Sequence, residues 1–355
     1  MSQVVVSSVG DMRLARPLTE PFSDALEILR GSDMCFGNLE GPFTEEGEPA
    51  DKWAVLKQSP RLVGDYAKMG FRILQLANNH MLDYGQPGLV STLRTLREAG
   101  VQYVGAGENI KEALKPAYLE QRDLRIGFLD CASTLPGESV AGEHKPGIAP
   151  IRVRTSCHID PEMEKEQPGN PPVMLTEPNE EDVERVAKTV RAAKAEADYV
   201  IVGIHWGMAY QENILDYQPT VGRALIDAGA DVIMGHHAHR LQGVQKYRDG
   251  FIFYSLGNFY FELPEGSSYP KDTKWRHWPP RVGMWSQSNE SMIVRTTISR
   301  KGEATHELIP TFKPDAGSPE LMKETDAERL LKHVESLSED GDVKFSIRKG
   351  RATIG

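Results

Sequence analysis

At 355 residues the chain is long enough for two average domains or one large α/β unit. Its 39% hydrophobic and 26% charged residues match ordinary globular usage and exclude wholesale disorder or collagen-like repetition. A formal net charge of −10 speaks against a nucleic-acid scaffold, and no nucleic-acid partner is expected.

The first 130 residues alternate short apolar runs with amphipathic stretches. Val4–Val9 reads as a strand ending at Gly10-Asp11, Ser23–Leu29 as a helix, and Asp33–Leu39 as a strand. Pro60–Met69 is a helix, Phe71–Ala77 a strand, Gly88–Ala99 a helix, and Val101–Gly105 and Leu124–Cys131 strands. This alternation implies βαβ units and a largely parallel sheet. Residues 134–180, rich in Pro, Gly and Glu, read as an irregular insertion able to act as a lid. The rhythm returns with helix Glu180–Ala197, strand Tyr199–Ile204, helix Thr220–Ala228 and strand Asp231–Met234. Two hairpins follow, Gln242–Tyr247 with Phe251–Ser255 and Met292–Ser299 with Ala304–Ile309, then a closing helix over 326–337. The expected organisation is one domain over 1–355, with a C-terminal extension from about 313.

No apolar run approaches the ~18–20 residues that spanning a bilayer requires, and the start lacks the charge pattern of a secretory signal. Three scattered cysteines, Cys35, Cys131 and Cys157, form neither a disulfide framework nor a thiolate zinc site. A reduced, cytoplasmic protein without a membrane anchor is expected.

Ligands of parallel sheets bind outside the carboxyl ends of the strands, and several such ends carry more polar chemistry than a loop needs. They present Asp11; Asn38-Leu39-Glu40; Asn78-Asn79-His80 with Asp83; His205-Trp206-Gly207; and His237-Ala238-His239. Each has an ordinary explanation when taken alone. Asp11 and Asp83 can cap or turn, Asn78-Asn79 can form a turn, and His205 can be a satisfied core histidine. Jointly they offer imidazole, carboxylate and amide oxygen, the donor mixture a divalent cation takes when no thiolate is offered.

The sequence resembles a known family at these places. The motifs are Gly10-Asp11, Asn38-Leu39-Glu40-Gly41, Ala77-Asn78-Asn79-His80 with Asp83-Tyr84-Gly85, Val104-Gly105-Ala106-Gly107, His205-Trp206-Gly207, Gly235-His236-His237-Ala238-His239 and Tyr254-Ser255-Leu256-Gly257-Asn258-Phe259. In this order they resemble the CapA-type (poly-γ-glutamate capsule protein) family of the calcineurin-like metallophosphoesterase superfamily. The resemblance runs from about residue 4 to about residue 312. It implies a four-layer α/β/β/α sandwich with a metal centre at the strand ends.

The same resemblance implies that Glu40, Asn79, His205 and His237 hold one divalent ion. Calcium is the first candidate on oxygen content, and the two imidazoles also suit manganese or zinc. The superfamily's Asp-x-His motif is broken here by Arg13, so a weak or empty first metal site is expected. Two His/Asp couples are then left for acid/base work, His80 with Asp83 and His239 with Asp11. Couples on opposite sides of a pocket suit proton removal from one face of a carbon and delivery to the other. Within the group, the chain resembles the lasso-peptide epimerases, which invert the α-carbon of a precursor peptide's C-terminal residue. On that reading a ribosomal peptide is the substrate. Trp275, Arg276 and Trp278 grip its terminal side chain, and Arg13 meets its carboxylate. Each of these also has a bland role, a surface loop or a solvated arginine. Two alternatives stay open: a metallohydrolase of a phosphoester or γ-glutamyl amide, and a capsule polyglutamate factor without catalysis.

Overall fold

The computed structural model describes residues 3–52, 54–262, 289–300, 303–314, 317–338 and 343–355. Trp275, Arg276 and Trp278 lie outside the described residues.

The apolar run after the start forms the strand Gln3–Arg13, which becomes the centre of a mixed sheet. On one side it pairs in parallel with Met34–Leu39, which continues through Ile73–Gln75 to Gln102–Val104. On the other side it pairs antiparallel with Glu290–Ser299, itself hydrogen-bonded to Ala304–Phe312. A second mixed sheet carries Leu124–Ala132, Tyr199–His205, Val232–His236 and Gly250–Phe253 as parallel neighbours. Ala117–Gln121 and Val244–Tyr247 close its two edges in antiparallel register.

Side-chain alternation distributes these strands over three apolar layers. Val4, Val6, Phe36 and Ile73 meet Phe128, Ile201, Met234 and Phe253 between the sheets, with the Phe36 and Phe128 rings 5.0 Å apart. On the outer face of the first sheet, Leu26 and Leu29 of helix Asp24–Arg30 and Leu89, Leu93 and Leu96 of helix Gly85–Glu98 cover Val9, Met12 and Leu74. Val186 and Val190 of Glu180–Glu196 and Val221 and Leu225 of Tyr217–Asp227 cover Val200, Val202 and Ile233 of the second. The result is the α/β/β/α sandwich, the calcineurin-like arrangement expected from the motifs. The carboxyl ends of both sets of parallel strands open on one side.

One expectation needs correction. The stretch 134–180 is not irregular throughout: Val153–His158 and Val173–Pro178 form an exposed antiparallel ribbon around the helix Pro161–Glu166, which Asp160 caps. Its charged composition hides the alternation. Thr176 Oγ1 accepts from Tyr217 N at 3.4 Å near its base. The C-terminal extension from about 313 adds strands to the first sheet. Arg351–Ile354 pairs with Ala304–Phe312 and Ser346–Arg348 pairs with it in turn, across a tight turn with positive φ at Lys349 (49°) and Gly350 (70°). Helix Glu324–Leu337 seals that end with Leu330, Leu331 and Val334. Among the described residues no helix is long and apolar enough to cross a membrane.

Candidate metal centre

The strand ends converge. A register shift after Val9 re-aims Asp11, which is fully buried, into the space between the sheets. Its Oδ1 accepts from Asn38 Nδ2 at 2.9 Å and its Oδ2 from the His237 amide at 3.3 Å. The Nδ1 atoms of His236 and His239 lie 3.4 and 3.3 Å from its two oxygens. Burial pushes the Asp11 carboxyl up, but His236 and His239 outweigh it and hold it well below the usual range. The backbone of His237 and of His239 lies in the left-handed region, at φ 87° and 52°. Strain of that kind, about 1–3 kcal/mol per residue, persists where surrounding structure over-determines it, as at ligand-holding loops.

Three donors meet on the second sheet's side. His205 Nε2 lies 2.8 Å from Asn79 Oδ1 and 3.1 Å from His237 Nδ1. Burial, then the neighbouring His237, keeps His205 well below its ordinary pKa; burial and His239 bring His237 down to about 3. Both imidazoles are therefore neutral, the state in which a ring nitrogen ligates.

Glu40 ends the strand Met34–Leu39 and is fully buried, yet neither of its carboxylate oxygens has a hydrogen-bond partner. The nearest cationic candidates are His239 Nε2 at 3.5 Å and His80 Nε2 at 3.8 Å from Oε1. Burial pushes this carboxyl up to about 8, with the Asp11 and Asp83 charges adding to it. His239 is lowered by burial but lifted overall, to about 9, by Glu40 and Asp11. A divalent cation held here would balance the charge of these buried carboxylates. Asp11, Glu40 and His239 place one donor atom each within 4.8 Å of one another, a group suited to holding such an ion.

This brings Asp11 and His239, expected as an acid/base couple beside a weak or empty first site, into one group with Glu40. The Arg13 guanidinium donates to the Glu262 and Lys57 carbonyls and is 5% exposed. His239 Nδ1 faces Asn258 Oδ1 at 2.7 Å, closer than Asp11. Of the two expected couples, His80–Asp83 is the tight one, with Nδ1 to Oδ2 at 2.6 Å. Asp83 also accepts from the Leu56 amide at 2.7 Å and from Lys52, leaving His80 Nε2 facing Glu40.

Lys52 was not singled out from the sequence. It bonds Asp83 and donates to the Asn79 carbonyl at 2.6 Å, and an isolated lysine in a Pro- and Glu-rich loop carries no periodic signal. Asn258 stood inside a quoted motif without a role. Its strand Asn258–Phe261 pairs in parallel with Gln3–Arg13, setting Asn258 opposite Asp11.

The description "bacterial capsule synthesis protein PGA_cap" matches residues 5–263, a span that holds every donor named above. The chain belongs to this family. Two relatives extend the match over most of its length. The capsule biosynthesis protein CapA of Bacillus anthracis is 30% identical over 330 residues, 89% of this chain and 69% of that protein. The PGA biosynthesis protein CapA of Bacillus subtilis (strain 168) is 28% identical over 360 residues, 98% of this chain and 81% of that one. Among solved structures, a hypothetical protein from Thermus thermophilus superposes with a TM-score of 0.42 at 14% identity, covering 89% of this chain and 96% of that one.

Proposed function

We propose that this PGA_cap-family chain is a metal-dependent enzyme of capsule polyglutamate formation that cleaves a γ-glutamyl amide. The observation that carries the reading is Glu40, a buried carboxylate with both oxygens unpartnered between two imidazoles. The substrate class follows from the relatives named for capsule and PGA biosynthesis. Asp11, Glu40 and His239 are the proposed donors of one metal position, and Asn79, His205 and His237 those of an adjoining one. The carboxylate-rich group suits calcium, and the imidazole-rich group manganese or zinc. A divalent ion so held supplies Lewis acidity toward a carbonyl oxygen.

The chain's own residues supply the proton handling. Asp83 fixes the His80 ring through Nδ1, so Nε2 is the atom that takes up a proton and passes it to the departing amide nitrogen. Lys52, its side chain 23% exposed, stands at the same rim and offers positive charge to the carboxylates of an anionic polymer. Peptide epimerisation requires a second free couple on the opposite face. The Asp11–His239 pair is shared with Asn258, Glu40 and the His237 amide, which weighs against that reading.

The test incubates metal-reconstituted protein in D2O with poly-γ-glutamate, a chromogenic phosphodiester and candidate peptides, read by mass spectrometry. Shortened polymer with one water gained per cut supports the proposal. Deuterium entering a peptide of otherwise unchanged mass, with the polymer intact, refutes it in favour of epimerisation. Phosphodiester cleavage alone refutes the substrate class.

A further inference from the structure

One buried acid plays no part in the reading above. Asp130 lies on Leu124–Ala132 of the second sheet, 5% exposed, and its Oδ2 accepts the Ala77 amide of the first sheet at 2.7 Å. At Ala77 the strand Ile73–Gln75 has ended and the Asn78-Asn79-His80 turn begins. Asn78 ties the same turn to the neighbouring strand, donating to the Leu39 carbonyl at 2.8 Å and accepting the His80 amide at 3.0 Å. The turn is thus held from two directions, by Asn78 within its own sheet and by Asp130 across the sandwich.

Two glycines make room for this arrangement. A Cβ at Gly105 would overlap Asp130 Oδ2, and one at Gly203 would overlap Gln75 Oε1 while lying 2.9 Å from Asp130 Oδ1. Asp130 Oδ1 and both amide atoms of Gln75 are buried without hydrogen-bond partners. An apolar side chain would carry no such desolvation cost, so packing alone does not account for a carboxyl here.

We propose that Asp130 is a positioning residue for the metal centre, a strut from the second sheet that holds the Ala77–His80 backbone. Through it, Asn79 and His80 keep their places against His205 and His237 of the second sheet. The metal-affinity arm of its test rests on the metal reading given above; the exchange arm does not.

The full chain is stripped of metal and compared as wild type, Asp130→Ser, whose hydroxyl is too short to reach Ala77, and Asp130→Asn, which keeps an acceptor oxygen. Mn2+ affinity is followed by electron paramagnetic resonance, and amide exchange of residues 76–81 by mass spectrometry without metal. The serine variant is expected to bind Mn2+ about 10–100-fold more weakly, the range typical of lost ligand-orienting partners. Its 76–81 segment should exchange about tenfold faster or more, with Tyr217–Asp227 unchanged, and asparagine should restore both. Wild-type affinity and wild-type exchange in Asp130→Ser overturn the strut. If wild type binds no Mn2+, the metal reading fails and the exchange comparison alone decides the strut. If Asp130→Ser does not fold, Gly203→Ala, which crowds Oδ1 and Gln75, takes its place, and unchanged exchange there overturns the proposal.

Discussion

His306 gives the fold a pH dependence that can be worked out in advance. It is 1% exposed, stacked edge-on against Phe251 and Phe253 at 5.0 and 5.8 Å between ring centroids, with Nδ1 3.0 Å from Thr296 Oγ1. Burial alone lowers its pKa from 6.5 to about 4. Because the folded value lies below the unfolded one, the unfolded chain binds the proton first. The contribution to stability is full above pH 6.5, falls through the window between 6.5 and about 4, and is constant below it. The shift corresponds to about 3 kcal/mol in total, of which about 2 kcal/mol is lost between pH 7 and pH 5. His306→Leu leaves Thr296 without its partner, a pH-independent loss of about 1 kcal/mol. The same substitution removes the titration. Urea unfolding of both proteins at pH 7 and pH 5 separates the two effects. The wild type should lose about 2 kcal/mol more than the variant on acidification. Equal losses would refute the reasoning.

Three further outcomes follow from the site and the thiols. Glu40→Gln should lower Mn2+ affinity about tenfold or more while leaving the metal-free melting temperature equal to or above wild type, because an unpartnered buried carboxylate is removed; calorimetric titration and thermal unfolding check the pair. His80→Ala should retain metal by elemental analysis yet lose about 10²–10⁴ in turnover of whichever substrate the protein accepts, and loss of metal instead would make His80 a ligand. Cys157 is exposed whereas Cys35 and Cys131 are buried, so a chromogenic disulfide reagent should titrate one thiol in native protein and three in denaturant.

Much of the site was legible because parallel strands end together: Asp11, Glu40, Asn79, His205 and His237 stand at such ends, so their convergence follows from topology. The grouping was not legible. Arg13 in the Asp-x-His motif pointed to a weak first site, whereas the fold gathers Asp11, Glu40 and His239 within 4.8 Å of one another while Arg13 donates to the Glu262 and Lys57 carbonyls. Lys52 and Asp130 act across long sequence separations and carry no local pattern, so the contacts to Asp83 and Ala77 had to be observed. The strands Ser346–Arg348 and Arg351–Ile354 escaped notice for another reason. They are short and half polar, and only the partner strand Ala304–Phe312 makes them strands.

The pairing of Gln3 with Ser299 brings together residues about three hundred positions apart and has a consequence for biosynthesis. At about 5–20 residues per second, roughly 15–60 s of translation separate the emergence of the first strand from that of its antiparallel neighbour. Through that interval Val4, Val6 and Val9 belong to a strand with one open edge, a template for unwanted pairing with other nascent chains. Asp11 likewise waits for Asn258 and the His236–His239 loop before its surroundings exist. Recombinant yield should therefore respond more to slowed synthesis and holdase chaperones than to metal in the growth medium, since the candidate donors assemble only after most of the chain has been made.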